Sequence, residues 1–135
     1  MSMIPKDTLV VVADGRAARL FRNVGDESAL RLHQVEMLDP NDAGEPDAGP
    51  SGVQPPESDI GEATFAKALG DRINASALRN GFAHLVIAAD PRTLGELRPQ
   101  LHKETVARLL AEVAKDWTNT PLEQIERALH ELRIA

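Results

Sequence analysis

Aspartates set at the ends of apolar runs come nearest to a catalytic set in this chain. Asp14 closes the run Thr8 to Ala13, Asp90 follows Ala83 to Ala89, and Asp116 stands near the end of a third candidate strand. Gathered at one end of a sheet, such carboxylates would hold two divalent metals and activate water against a phosphodiester. Asp14 is equally a turn residue beside Gly15, and Asp90 a helix cap before Pro91. No metal site is therefore expected. His33, His84, His102 and His130 fall on four separate elements, without the His-x-x-x-His spacing of a zinc site. With no cysteine there is no thiol nucleophile and no disulfide framework. A nucleophile elbow, a phosphate loop and a dinucleotide fingerprint are all missing, so no catalytic residue and no cofactor are assigned.

Basic residues offer a binding set instead. Arg16, Arg19 and Arg22 lie on one candidate strand, and Arg19 shares a face with Phe21 two residues on. Arg92 and Arg98 flank a short helix, and Lys115 follows further along. Such residues form either a solvated, salt-bridged surface or a shallow face for RNA. Aromatics are 3% of the chain, too few for base stacking, so any RNA contact would be directed to the backbone and sensitive to salt. Arg16, Arg19, Arg92, Arg98 and Lys115 are the candidates.

The 135 residues suit one domain with a core of Leu, Val, Ile and Ala. The net charge of −6 belongs to one segment. Between Leu32 and Ala66 there is no Lys or Arg, and eight acids fall there: Glu36, Asp39, Asp42, Glu45, Asp47, Glu57, Asp59 and Glu62. The remainder has 15 basic and 13 acidic residues. Asp39 to Asp59 also carries five of the nine prolines and almost no apolar side chain, the composition of a mobile acidic loop. No apolar run approaches the ~20 residues that cross a bilayer, and the N-terminus lacks the pattern of a secretory signal. A cytoplasmic protein without membrane contact is expected.

Positioning these residues takes an α/β order. Thr8 to Ala13 reads as a strand buried on both faces, Asp14-Gly15 as a turn, Arg16 to Val24 as the returning strand, and Leu30 to Met37 as a third. The alternation slips at His33-Gln34, which predicts a bulge or register change. A helix starts at Ser58 or Asp59, carries Phe65, Leu69, Ile73 and Ala77 on one stripe, and ends at Asn80-Gly81. Ala83 to Ala89 is another buried strand. The helix capped by Asp90 ends at Pro99, since a residue before proline avoids the α region. Val106, Leu109, Leu110 and Val113 follow a helical period. Thr120-Pro121-Leu122-Glu123 reads as a capped start of a last helix, with Leu122, Ile125, Leu129 and Leu132 as its buried stripe.

Two stretches carry a family resemblance: Val-Val-Val-Ala-Asp-Gly-Arg-Ala-Ala-Arg-Leu-Phe from Val10 to Phe21, and Ile-Ala-Ala-Asp-Pro-Arg-Thr-Leu-Gly-Glu-Leu-Arg from Ile87 to Arg98. Together they resemble the family known as "protein required for attachment to host cells", which is similar to the middle domain of archaeal and eukaryotic peptide-chain release factors. The resemblance implies a mixed sheet of ribonuclease H-like order, an antiparallel three-strand meander followed by alternating helices and strands. It also implies a strand, not a helix, from about Leu109 to Thr118 after a helical turn. In release factors the loop between the third strand and first helix carries the Gly-Gly-Gln that promotes peptidyl-tRNA hydrolysis. Here that position reads Gly49-Pro50-Ser51-Gly52-Val53-Gln54, so the glycine pair is missing and Gln54 remains as a candidate binding residue. The implied function is a non-enzymatic adaptor near ribosome or RNA. The alternatives are a hydrolase of RNA or peptidyl-tRNA, and an interaction module whose acidic tract meets a basic protein.

Overall fold

A computed structural model describes residues 4–25, 30–38 and 58–131, with side chains from Thr64 onward in the last segment. Strands β1 (Leu9–Ala13), β2 (Ala18–Asn23) and β3 (Leu32–Leu38) form an antiparallel meander. Helix α1 (Ser58–Leu78) leads to β4 (Leu85–Ala89), which lies parallel to β1. Then come α2 (Pro91–Leu97), a 3-10 turn (Arg98–Gln100), α3 (Lys103–Val106), the parallel strand β5 (Leu109–Val113) and α4 (Leu122–His130). The strand order across the sheet is β3-β2-β1-β4-β5.

Every residue of β1 and β4 is buried, as their unbroken apolar runs require of central strands covered on both faces. Leu9, Val11, Leu85 and Ile87 meet Phe65, Leu69, Ile73 and Ala77 of α1, with Leu97 of α2 alongside. On the opposite face Val10, Val12, Phe21, Val86 and Ala88 pack under Ile125 and Leu129 of α4. The result is three layers, with α1 and α2 on one side of the sheet and α4 on the other. Close approach of α1 to the 3-10 turn needs Gly70, where a Cβ would meet the Gln100 Cβ at 2.6 Å.

Local chemistry explains where expectation and structure part. The slip in β3 is a bulge: Leu20 faces Glu36 and Phe21 faces Gln34, which leaves Val35 as the extra residue. The first turn spans four residues, because Asp14 Oδ1 accepts both the Arg16 and Ala17 amides, so β2 begins only at Ala18. Pro99 does not force Arg98 out of the α region; Arg98 sits at φ −54°, ψ −44° and the chain tightens into the 3-10 turn. The strand expected to Thr118 stops at Val113.

Thr120 does not cap α4. The cap position is Pro121, extended at φ −60° and ψ 146°, and no side chain serves it. Thr120 instead gives its carbonyl to Arg19, at 2.8 Å from Nη1. Thr120→Ala should therefore change the unfolding free energy by less than about 0.5 kcal/mol, the ordinary range for a side chain outside such features. A loss near 1 kcal/mol in chemical denaturation, typical of a cap hydroxyl, would show that the cap forms after all. The expected mobility of Asp39 to Asp59, like Gln54 and Leu132, concerns positions outside the described residues, apart from the backbone of Ser58 and Asp59 at the start of α1.

Candidate functional site

The carboxyl ends of β1, β4 and β5 point to one end of the sheet, and register places the end of β3 there too, since Leu38 faces Ala18 and Ala18 faces Ala13. Loops at this end are the usual location of ligands in open α/β sheets. Residues 39–57, including the acidic stretch and Gln54, leave from Leu38 at this same end.

Three exposed cations surround it on three different connections. Arg16 lies in the β1–β2 turn, Arg92 in the first turn of α2, and Lys115 just after β5. Arg92 pairs with Glu96 one turn on, at 3.6 Å. The three aspartates are engaged locally. Asp90 accepts the Thr93 amide at 3.2 Å and the Thr93 hydroxyl at 2.7 Å, the cap expected from sequence. The Thr118 hydroxyl lies 2.6 Å from Asp116 and 3.1 Å from Asp14. One hydroxyl hydrogen serves one acceptor at a time, so Thr118 bonds either to Asp116 in its own loop or to Asp14 in the hairpin. Among the described residues no three His, Asp or Glu side chains are grouped to hold a metal.

Arg19 and Arg98 do other work. The Arg19 guanidinium stands 5.0 Å from the Phe21 ring centre, and its Nη1 donates to the carbonyls of Thr118 and Thr120 at 3.2 and 2.8 Å. Its Nε reaches the Gln34 side chain at 3.2 Å. One side chain thus binds β2, β3 and the β5–α4 loop together, a positioning role. The shared face of Arg19 and Phe21 was visible in sequence; the carbonyls it holds were not. Arg98 pairs with Glu112 of β5 through Nε, 3.2 Å from Oε2, and through Nη2 to Oε1. That hydrogen bond first, and the Glu112 charge second, raise the Arg98 pKa above its ordinary value.

The sequence profile of Bacterial archaeo-eukaryotic release factor family 12 matches residues 7–129. The chain belongs to that family. Family 12 membership bears out the release-factor relation expected from sequence and does not support the host-attachment name. No curated protein matches the chain. Among solved structures, S. cerevisiae Dom34, a translation termination-like factor involved in RNA quality control pathways and interacting with Hbs1, aligns at a TM-score of 0.48 and 10% identity. The alignment covers 95% of this chain and 35% of that one, so this family 12 chain spans about a third of that protein's length. Among the described residues no helix is long and apolar enough to cross a membrane.

Proposed function

We propose that this chain is a non-enzymatic binding domain of the release-factor family that works in the cytoplasm with the ribosome or RNA. Family membership carries the reading, and the segment between β3 and α1 defines its limit. Where release factors present Gly-Gly-Gln, this chain has Gly52-Val53-Gln54-Pro55-Pro56. A β-branched residue before the glutamine resists the positive φ that glycine adopts freely. Two prolines after it fix the backbone and remove two amide donors. On this reading the segment is a contact element, Arg16, Arg92 and Lys115 at the sheet end where the chain leaves β3 are surface contacts, and Arg19 and Arg98 hold their supports. Attachment to host cells, which the sequence resemblance implies, would be an indirect outcome of such an interaction.

Co-sedimentation of the chain with ribosomes across a salt series tests the reading; absence from the ribosomal pellet at low salt would refute it. Peptidyl-tRNA hydrolysis should stay at background for the wild type and for Gln54→Ala alike. Hydrolysis by the wild type that disappears in Gln54→Ala would instead establish a hydrolase.

A further inference from the structure

We propose that the opposite end of the sheet, around the turn Arg79–Asn80–Gly81, is a surface for the phosphate backbone of a folded RNA, with Arg22, Arg79, Lys103 and Arg108 as its contacts. This rests on the ribosome or RNA reading above and names the face that meets the RNA.

The turn itself is firmly built. Asn80 takes φ 58°, a left-handed conformation that asparagine tolerates better than most residues. The Gly81 amide returns to the Ser76 carbonyl at 2.8 Å and the Asn80 amide to Ala77 at 2.9 Å, closing the end of α1. Guanidinium groups grip the turn from two sides. Arg22 Nη2 donates to the Gly81 carbonyl at 3.0 Å, and Arg108 Nη2 to Asn80 Oδ1 at 3.3 Å. Arg108 Nη1 also holds the Glu104 carbonyl at 2.7 Å. Each guanidinium has five N–H donors, so donors remain for a ligand. Arg79, at the start of the turn, is exposed, and Lys103 is exposed on α3. Beside the turn lies an open cleft of about 450 Å³, lined by Asn80, Phe82, Ala83, Glu104, Ala107 and Arg108.

Charge and shape select the partner. Among the described residues the carboxylates at this end are Glu104, 3.6 Å from Arg108, Asp7, whose carbonyl Arg22 also reaches, and Glu126, which is engaged by the Leu32 amide at 2.7 Å. Lys6 adds a further exposed cation. The β2–β3 turn brings Arg31 to this end as well, with Asp26 and Glu27 outside the described residues. By contrast Asp14, Asp90 and Asp116 stand at the far end, where the acidic stretch departs. Phe82 is only 3% exposed, and Phe21 and Phe65 are buried too, so the cleft offers no ring for a base to stack on. Cations without stacking platforms bind phosphates, positioning the nucleic acid without reading its sequence.

Anisotropy of a labelled RNA duplex of about 16 base pairs, titrated over a salt series, decides the matter. Arg79→Gln with Lys103→Gln should weaken binding by about tenfold per lost contact near 0.1 M salt and reduce the salt slope by about 2. Both side chains are exposed, and circular dichroism confirms that the fold is kept. The matched control Lys67→Gln with Arg127→Gln, on other surfaces, should leave both quantities unchanged. An unaltered slope in the first pair, a loss carried instead by Arg16→Gln with Lys115→Gln, or preference for phosphatidylserine vesicles over RNA would overturn the assignment. If the first pair still pellets with ribosomes as the wild type does, the ribosome reading stands and this surface is excluded. A wild type that binds neither ribosome nor duplex ends both.

Discussion

Leu129→Ala should lower the free energy of unfolding by about 2–5 kcal/mol, the range for removing most of a buried leucine from a packed site. Leu129 is fully buried and lies with Ile125 on the face of α4 that covers Val10, Val12, Phe21, Val86 and Ala88. Those strand residues belong to the two central strands and to β2, which hydrogen bonds hold in place. They cannot collapse inward to fill the space, so the cavity term adds to the lost transfer free energy. A domain of this size is commonly stable by only about 5–15 kcal/mol, so the variant approaches the edge of folding. Urea titration followed by circular dichroism gives the value. Leu122→Ala is the internal comparison: Leu122 is half-buried at the rim of the same cluster and should cost less. Equal midpoints for wild type and Leu129→Ala would show that α4 does not pack on the sheet.

The same helix illustrates what the sequence discloses and what it hides. Ile125 and Leu129 were legible because burial follows a 3.6-residue period, and the unbroken runs of β1 and β4 announced strands covered twice. Asp90 announced its own cap. The start of α4 was not legible. Thr-Pro-Leu-Glu satisfies every local rule for a cap, yet Arg19 draws the Thr120 carbonyl from β2, and Pro121 takes the cap position. Val106, Leu109, Leu110 and Val113 show the converse. Their spacing matches a helix, but Leu109 packs in the first core and Leu110 and Val113 in the second, as residues of a bulged strand do. Val106 stays 46% exposed on α3. At the candidate site, sequence found the charges and their elements. It could not show that Arg19 and Arg98 have partners far along the chain, or that Arg22 and Arg108 converge on the turn holding Asn80. Those facts depend on tertiary register, which no local spacing encodes.

The buried Asn74 was equally invisible, and Asn74→Leu should cost at least about 3 kcal/mol. Asn74 is 2% exposed on α1 and faces the segment that follows α2. Its Nδ2 donates to the Gln100 carbonyl at 2.8 Å, and its Oδ1 accepts from the His102 amide at 2.9 Å and the Thr105 hydroxyl at 2.6 Å. His102 is the cap position of α3 and offers no side-chain cap bond of its own. Asn74 therefore supplies from another helix an acceptor for an amide ahead of that short helix. A leucine has the same branching but is bulkier, and it leaves a carbonyl, an amide and a hydroxyl without partners, each costing roughly 1–3 kcal/mol when kept from water. Thr105→Val separates the contributions, since it deletes one hydroxyl while Asn74 keeps its other two bonds; about 1 kcal/mol is expected there. Because α3 leads into Arg108 and the cleft beside Asn80, amide exchange should also speed up from His102 to Arg108 in Asn74→Leu, ahead of global unfolding. Unfolding midpoints and exchange rates that match the wild type would mean that this network does not hold α3 against α1.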